Sequence, residues 1–548
     1  MLYGSGIPGG VINQVQKRAQ PLSFGEVGVG FGDPQASEAF VDYNHRFSDT
    51  FSARFTSVVR DSEEDIAELT NTRGYLGIAT LWTPTPQTRL QFLGSFQQDN
   101  PITPTGAPTS LLGQVDADRL RDFYFGDPTD DNSDRTTINL GFEFEHEFES
   151  AWTLNAGFRY QNFDWDYRGF FVQDPVPDLN TVNRGAIDQF EESETYNLDL
   201  RLSRNFQTGA VNHDVLVGLD LRKYSFEDVS IFRTADPISF LNPVYSGANV
   251  GAITFTGAND LELEQFGLYL QDEMSFGNWR ASLALRRDWA DQNGTTFSSL
   301  VGTVQVVDQS DTATTGRAGL LYLFDNGMAP YVSYATSFDP EIGSNIEGNQ
   351  LEPTKGQQWE AGLKYEPPGV DAFFSAAIFD LTQSNISANV VEGGARGTRQ
   401  IGEAKSRGLE LEASASLGEA WNIRAAYTYN DTEQTRGDNV GNELPNAPQS
   451  FAGLWANYTF AAGTPLENLT LGGGVRFIGD RFGDDSNNFA LDDVTLLDLQ
   501  IAYKITDDAH FSLNVTNVTD KNYLASCSAF GCRFGDGRTV QARLTYKW

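Results

Sequence analysis

Apolar and polar residues alternate one by one at the end of the chain. Val540, Ala542, Leu544, Tyr546 and Trp548 are apolar, and Gln541, Arg543, Thr545 and Lys547 between them are polar. A period of two marks a β-strand with one apolar face, because successive side chains of an extended backbone point to opposite sides. The pattern returns in Trp359, Ala361, Leu363 and Tyr365 against Gln358, Glu360, Gly362 and Lys364. It returns again in Leu497, Leu499, Ile501 and Tyr503 against Asp498, Gln500, Ala502 and Lys504.

Two kinds of connection separate such segments. Ten short turns, most beside an aromatic residue, fall at Ser48 to Thr50, Thr83 to Gln87, Glu149-Ser150, Gln207 to Asn212, Gly277-Asn278, Asp325 to Pro330, Glu366 to Asp371, Gly418 to Ala420, Ala461 to Asn468 and Thr506 to Ala509. Longer polar stretches lie between them, among them Asp61 to Arg73, Gln97 to Arg135, Asn162 to Glu194, Glu227 to Glu262 and Phe338 to Gly356. With a first hairpin at Asp33 to Ser37 and a last at Asp520 to Gly537, these long connections number eleven. Eleven hairpins joined by ten turns require 22 strands.

Short turns on one side and long loops on the other describe an all-β, up-and-down, antiparallel transmembrane barrel of the outer-membrane kind, in which closure satisfies every backbone group in lipid. A soluble sandwich could also alternate, but nothing in it would segregate loop lengths. Val540 to Trp548 is expected to close against the first strand near Phe24 to Phe31. Phe51, Trp82, Trp152, Trp279, Trp421 and Phe511, beside the short turns, are expected to form the aromatic girdle of the periplasmic side.

Composition narrows the function. Lys and Arg total 38 against 74 Asp and Glu, a formal charge of −36, which argues against nucleic acid as a partner. No apolar run reaches the roughly 18 to 20 residues of a membrane helix, and the start at Met1 carries no basic and apolar leader. Gly4-Ser5-Gly6-Ile7-Pro8-Gly9 fits a dinucleotide fingerprint in letters only, since it follows no strand and puts proline where the helix should begin. His146-Glu147 opens a zinc-protease pattern whose second histidine is replaced by Ser150. No nucleophile elbow or phosphate loop is present, and His45, His146, His213 and His510 are scattered, so no enzyme is expected. Asp127, Asp130, Asp131 and Asp134 cluster in one loop and could hold Ca²⁺; without EF-hand spacing, a solvated acidic loop is the simpler reading.

Leu2-Tyr3-Gly4-Ser5-Gly6-Ile7-Pro8-Gly9-Gly10-Val11-Ile12-Asn13, with Lys17-Arg18 after it, resembles the last stretch of the plug domain in TonB-dependent siderophore receptors, above all the ferrichrome type. Further matches are Tyr334 to Pro340, Leu351 to Gly356 before Trp359-Glu360, Ile401-Gly402-Glu403 with Ser406 to Glu410, Leu444 to Pro448, and Asn514 to Tyr523. The resemblance implies a plug remnant over residues 1–20 and a receptor barrel over 21–548. The departure is at the start, because the family carries a TonB-binding segment and a full plug ahead of this stretch. The expectation is a plug-truncated chain.

The family further implies a monomeric outer-membrane receptor and TonB-dependent importer of a ferric siderophore, of hydroxamate type. Iron stays inside the ligand, so no cofactor or metal ligand of the protein's own is expected. TonB would act through the missing plug segment, and outer-membrane lipids and lipopolysaccharide are the remaining partners. The acidic excess, for instance Asp61 to Asp65 and Glu191-Glu192, either favours neutral or cationic siderophores or bridges lipopolysaccharide through divalent cations. Cys527 and Cys532, alone in a chain facing an oxidising compartment, correspond to a similar family pair one residue further apart, which implies a disulfide. The resemblance also places Phe530 and Phe534 near the mouth of the binding pocket, with Phe338 in another loop as a further candidate. The competing functions are import of another nutrient, such as cobalamin or a carbohydrate, and a passive porin, which would have about 16 to 18 strands.

Overall fold

In the computed structural model, which describes residues 13–63, 66, 69–103, 105–392, 395–400, 402–528 and 531–548, the alternating segments form one antiparallel sheet of 22 strands. Each strand pairs with its neighbours in the barrel order, from Phe24–Asp33 to Thr539–Lys547. Those two then pair with each other, Glu26 opposite Lys547 and Asp33 opposite Val540. The main chains of Gly25 and Trp548 exchange hydrogen bonds of 2.9 and 3.0 Å beside them. The sheet is a closed barrel without an edge, as the turn count predicts. All ten short turns lie between consecutive strands at one end. Gly277 (φ 52°) and Gly209 (φ 62°) each open a two-residue turn, where a positive φ matches the twist of a hairpin and excludes a side chain at little cost only for glycine.

The barrel is inside out relative to a soluble protein. Leu497, Leu499, Ile501 and Tyr503, and Leu544, Tyr546 and Trp548, stay exposed on the outer face, where lipid covers them. Phe51, Trp82, Trp279 and Trp421 are exposed beside the short turns, as the girdle requires, whereas Trp152 and Phe511 are half-buried. The buried interior is polar instead, with Asp42, Asn44, Gln91, Gln265, Arg286 and Asp288 among its members. Charges there are paired: Arg286 donates to Asp288 and Asp220, and Arg54 to Asp42. Of residues 1–20, the first twelve lie outside the described residues. The rest run along the inner wall, where Lys17 Nζ meets Asp42 at 2.6 Å, Arg18 meets Glu143 at 2.6 Å and Gln16 donates to the Gly94 carbonyl.

The strands differ greatly in length. Those at the end of the chain have 8 to 11 residues, for example Ala509–Thr516 and Val494–Lys504, enough to cross a bilayer. Thr181–Thr208, Val211–Ser239 and Val250–Phe276 have 28, 29 and 27, on the order of 90 Å of extended chain. The stretches Asn162 to Glu194 and Glu227 to Glu262, expected as loops, are therefore mostly strand, and they raise one side of the wall well beyond the membrane.

Thr153–Val172 shows how the error arises. In its membrane part Leu154, Ala156, Phe158 and Tyr160 point outward and Asn155, Arg159 and Gln161 inward. Beyond Asn162 the pairing continues without a break, yet the chemistry reverses: Asp164, Asp166 and Arg168 are the exposed outer residues, and Phe163, Trp165 and Tyr167 face the lumen. Water has replaced lipid as the outer solvent.

Candidate ligand-binding site

On the raised side, the inward positions of adjacent strands line up in rungs. One rung joins Ile187, Phe232 and Phe255; the next joins Tyr167, Gln189, Ser230, Gly257 and Ser298; a third joins Glu191, Asp228, Asn259, Thr296 and Gln305. Most of these side chains line a cavity of about 510 Å³, with Phe170, Phe171 and Phe297 among its other walls. The rings meet edge to face, Phe171 with Phe232 at 5.8 Å and Phe232 with Phe255 at 5.6 Å between centroids, a favoured aromatic geometry. Gln189, Asn259, Thr296 and Gln305 add neutral donors and acceptors, and Asp228 and Arg533 are the charged lining groups. Aromatic walls with a few convergent polar groups suit an organic ligand of moderate size.

Loops roof this space. Thr103, Thr105 and Gly106 come from the loop after Thr88–Asp99, Ser344 to Ile346 and Gly348 from the one after Met328–Asp339, and Thr398 and Arg533 from two short loop hairpins. The roof has an apolar core of its own, in which Ala107, Leu111, Leu120, Phe123 and Phe125 pack against Val172, Val182, Ile238 and Phe240. Arg184 clamps it by donating to the carbonyls of Phe125 and Gly126 at 3.1 and 2.8 Å.

Cys527 and Cys532 face each other in the hairpin of the last loop and are joined by a disulfide with an S–S distance of 1.98 Å. Cys532 exchanges two backbone hydrogen bonds with Ala107, at 2.7 and 2.8 Å. Cys527 does the same with the side chain of Asn446, at 2.9 and 3.0 Å. One hairpin thus ties three loops together. Gly531 sits between hairpin and roof at φ 96°, and a Cβ there would lie 2.5 Å from the Ala107 carbonyl oxygen.

The aromatics singled out from the sequence are distributed differently. Phe534 is half-buried against the apolar core of the roof, next to Arg533, and does not line the cavity itself. Phe338 is buried at the end of its strand opposite Lys355 and also lies off the cavity. Phe530 lies outside the described residues. Tyr167, Phe171, Phe232 and Phe255 are not predicted from the sequence, because the polar residues around them give their stretches the look of loops. Their signal was the reversed alternation, aromatic inward and charged outward.

The acidic cluster holds protein groups. Asp127 accepts from the backbone N–H and hydroxyl of Thr129 and from the N–H of Gly247. Asp131 accepts from the Tyr124 hydroxyl and the Asp127 N–H, Asp130 meets Arg168 at 3.3 Å and Asp134 accepts from Gln98. Among the described residues no group of three carboxylates, histidines or cysteines converges on a metal position. Burial of Asp131 pushes its carboxyl up to about 7, against the opposing pull of its hydrogen bonds. The same burial, with Asp131 beside it, raises the Tyr124 hydroxyl far above the usual phenol range.

Comparison with known proteins agrees with this architecture. The family described as TonB dependent receptor-like, beta-barrel matches residues 79–518. The ferrioxamine B receptor of Salmonella typhimurium (strain SL1344) is 33% identical over 562 residues, covering 100% of this chain and 78% of its own. The ferrichrome outer membrane transporter/phage receptor of Escherichia coli (strain K12) is 29% identical over 584 residues, with coverages of 100% and 77%. The crystal structure of the siderophore receptor PiuA from Acinetobacter baumannii superposes with a TM-score of 0.88 at 22% identity, covering 100% of this chain and 84% of that one.

Proposed function

The chain belongs to the TonB-dependent receptor-like β-barrel family, and on that premise we propose that it imports a ferric siderophore of hydroxamate type, captured in the cavity beneath the raised wall. Like its family it resides in the outer membrane. The family is one of receptors, and binding is the chemistry this site performs: Fe³⁺ remains in its chelate, while the protein meets only the organic shell.

The observation that carries the reading is the rung-by-rung lining of the cavity. Rings of Tyr167, Phe171, Phe232 and Phe255 offer apolar faces to a ligand backbone, and the amides of Gln189, Asn259 and Gln305 meet its polar edges. Three hydroxamates neutralise Fe³⁺, whereas three catecholates leave a triple negative charge. A lining that holds a buried Asp228 receives the neutral complex more readily. The loop hairpin bearing the disulfide supports the site from above, with Phe534 anchoring it and Arg533 reaching the ligand space.

The test is growth under iron limitation of a receptor-deficient strain that expresses this barrel behind the plug domain and TonB-binding segment its family carries, with and without TonB. Ferric hydroxamates should restore growth only when TonB is present. Restoration by catecholates and not by hydroxamates would overturn the ligand class, and restoration by cobalamin or a sugar at unchanged iron supply would overturn the siderophore reading.

A further inference from the structure

Buried carboxylates in this barrel follow a rule. Among the described residues, Asp42, Asp99, Asp188, Asp288 and Asp498 are buried and each meets at least one arginine. Asp127 is buried against backbone N–H groups instead. Asp228 is the exception. It is 9% exposed, and its carboxylate accepts only from neutral groups, Asn259 Nδ2 at 2.6 Å and Ser230 Oγ at 3.4 Å. Its register partner on the next strand is another acid, Glu191. Neither acid has a lysine or arginine within ion-pair distance among the described residues. A carboxylate removed from water without a countercharge is costly to hold, and Asp228 is held facing the cavity.

Resting on the siderophore reading above, we infer that Asp228 receives a cationic group of the ligand, so that the preferred siderophore is a ferric trihydroxamate bearing a primary ammonium. The neutral iron centre sits among the aromatic rings and the ammonium reaches the Asp228 carboxylate, with Glu191 strengthening the field. Nearby ring faces suit an ammonium as well, since their quadrupoles attract cations. Binding supplies the countercharge that the protein leaves out. Arg533, from the roof, lines the same cavity but makes no ion pair with Asp228, whose partners are Asn259 and Ser230.

The experiment compares two probes on the purified, detergent-folded chain: the ferric complex of a linear trihydroxamate ending in a primary amine, and the same complex with that amine acetylated. Affinity is read from quenching of intrinsic fluorescence. The amine form should bind about ten- to a hundredfold more tightly, the range of a desolvated charge-assisted hydrogen bond. D228N should bring the ratio close to one, and E191Q should lower it part of the way; circular dichroism confirms that each variant is folded. Equal affinity of the wild-type protein for both probes would overturn the inference and leave the hydroxamate reading standing, and this arm decides even if D228N does not assemble. A ratio that survives in folded D228N would also overturn it. Failure to bind either probe would remove the hydroxamate reading itself.

Discussion

Replacing Arg286 by methionine tests whether the barrel's interior is held by paired charge. The guanidinium is 2% exposed and lies between Asp288, at 2.6 to 2.9 Å, and Asp220, at 2.9 Å. The ring of Tyr269 lies 5.5 Å from its centre. Methionine keeps most of the volume, so the cavity contribution is small and the change isolates the charge. Removing one partner of a buried ion pair costs about 3–5 kcal/mol, because the other charge is stranded. Here most of the cost falls on Asp288, whose side chain is 3% exposed, while Asp220 at 18% can draw in water. The expected loss is therefore near the lower end, about 3 kcal/mol. Equilibrium unfolding in denaturant of the detergent-folded barrel should show a lower midpoint at unchanged slope. Converting both aspartates to asparagine in the Arg286→Met background should recover most of the loss. A loss under about 1 kcal/mol, or no recovery on neutralising the aspartates, would refute the pairing argument.

Three further outcomes are expected. The Asp131 carboxyl, pushed up by burial to about 7 from an unfolded value near 3.9, holds its proton more tightly in the ordered roof than in the open one. Its contribution to order is thus complete below the lower value, declines as pH rises through that window and is gone above about 7; hydrogen exchange over Tyr124 to Asp131, corrected for intrinsic rates, should show less protection at pH 8 than at pH 5, and Asp131→Asn should abolish the difference. Thiol reagents should label neither Cys527 nor Cys532 on intact, non-reduced cells, and rapid labelling of both would mean that the bond is absent; since the ring is short, its loss should loosen the hairpin without much change in global stability. Phe534→Ala should weaken siderophore affinity several-fold by freeing the hairpin that presents Arg533, whereas Phe338→Ala should leave affinity unchanged and cost about 3–5 kcal/mol of stability as a buried truncation, a contrast that titration and unfolding on the same preparations can reverse.

The sequence made the membrane part legible because lipid writes a strong pattern. The outward residues Leu497, Leu499, Ile501 and Tyr503, and Val540, Ala542, Leu544 and Tyr546, are apolar to face it, and aromatic residues mark where the strands end. That is why the strand number and the closing pair could be read from turns alone. The raised wall was illegible for the same reason. Once the outer face of Thr153–Val172 meets water, Asp164 and Asp166 are as suitable there as leucine is below, and a strand with charged residues outside looks like a polar loop. Loop chemistry fared similarly: Asp127 looks like a metal ligand until Gly247, some 120 positions away, is seen to occupy it. The disulfide partners are the chain's two cysteines, five positions apart, and easy to pair, but the bridge from Cys532 to Ala107 is a tertiary fact that spacing does not carry.

Because the cavity is walled by strands of the same ladder that crosses the membrane, its lining is a grid whose points can be exchanged singly. A substitution at an inward site such as Gln189, Ser230 or Asn259 alters one grid point and leaves the backbone pairing of its neighbours in place. Receptors that recognise ligands through mobile loops must refold a segment to change preference. This one can drift between related iron chelates by single replacements, each selectable on its own, so closely related chains should differ in ligand range while keeping the same strand register.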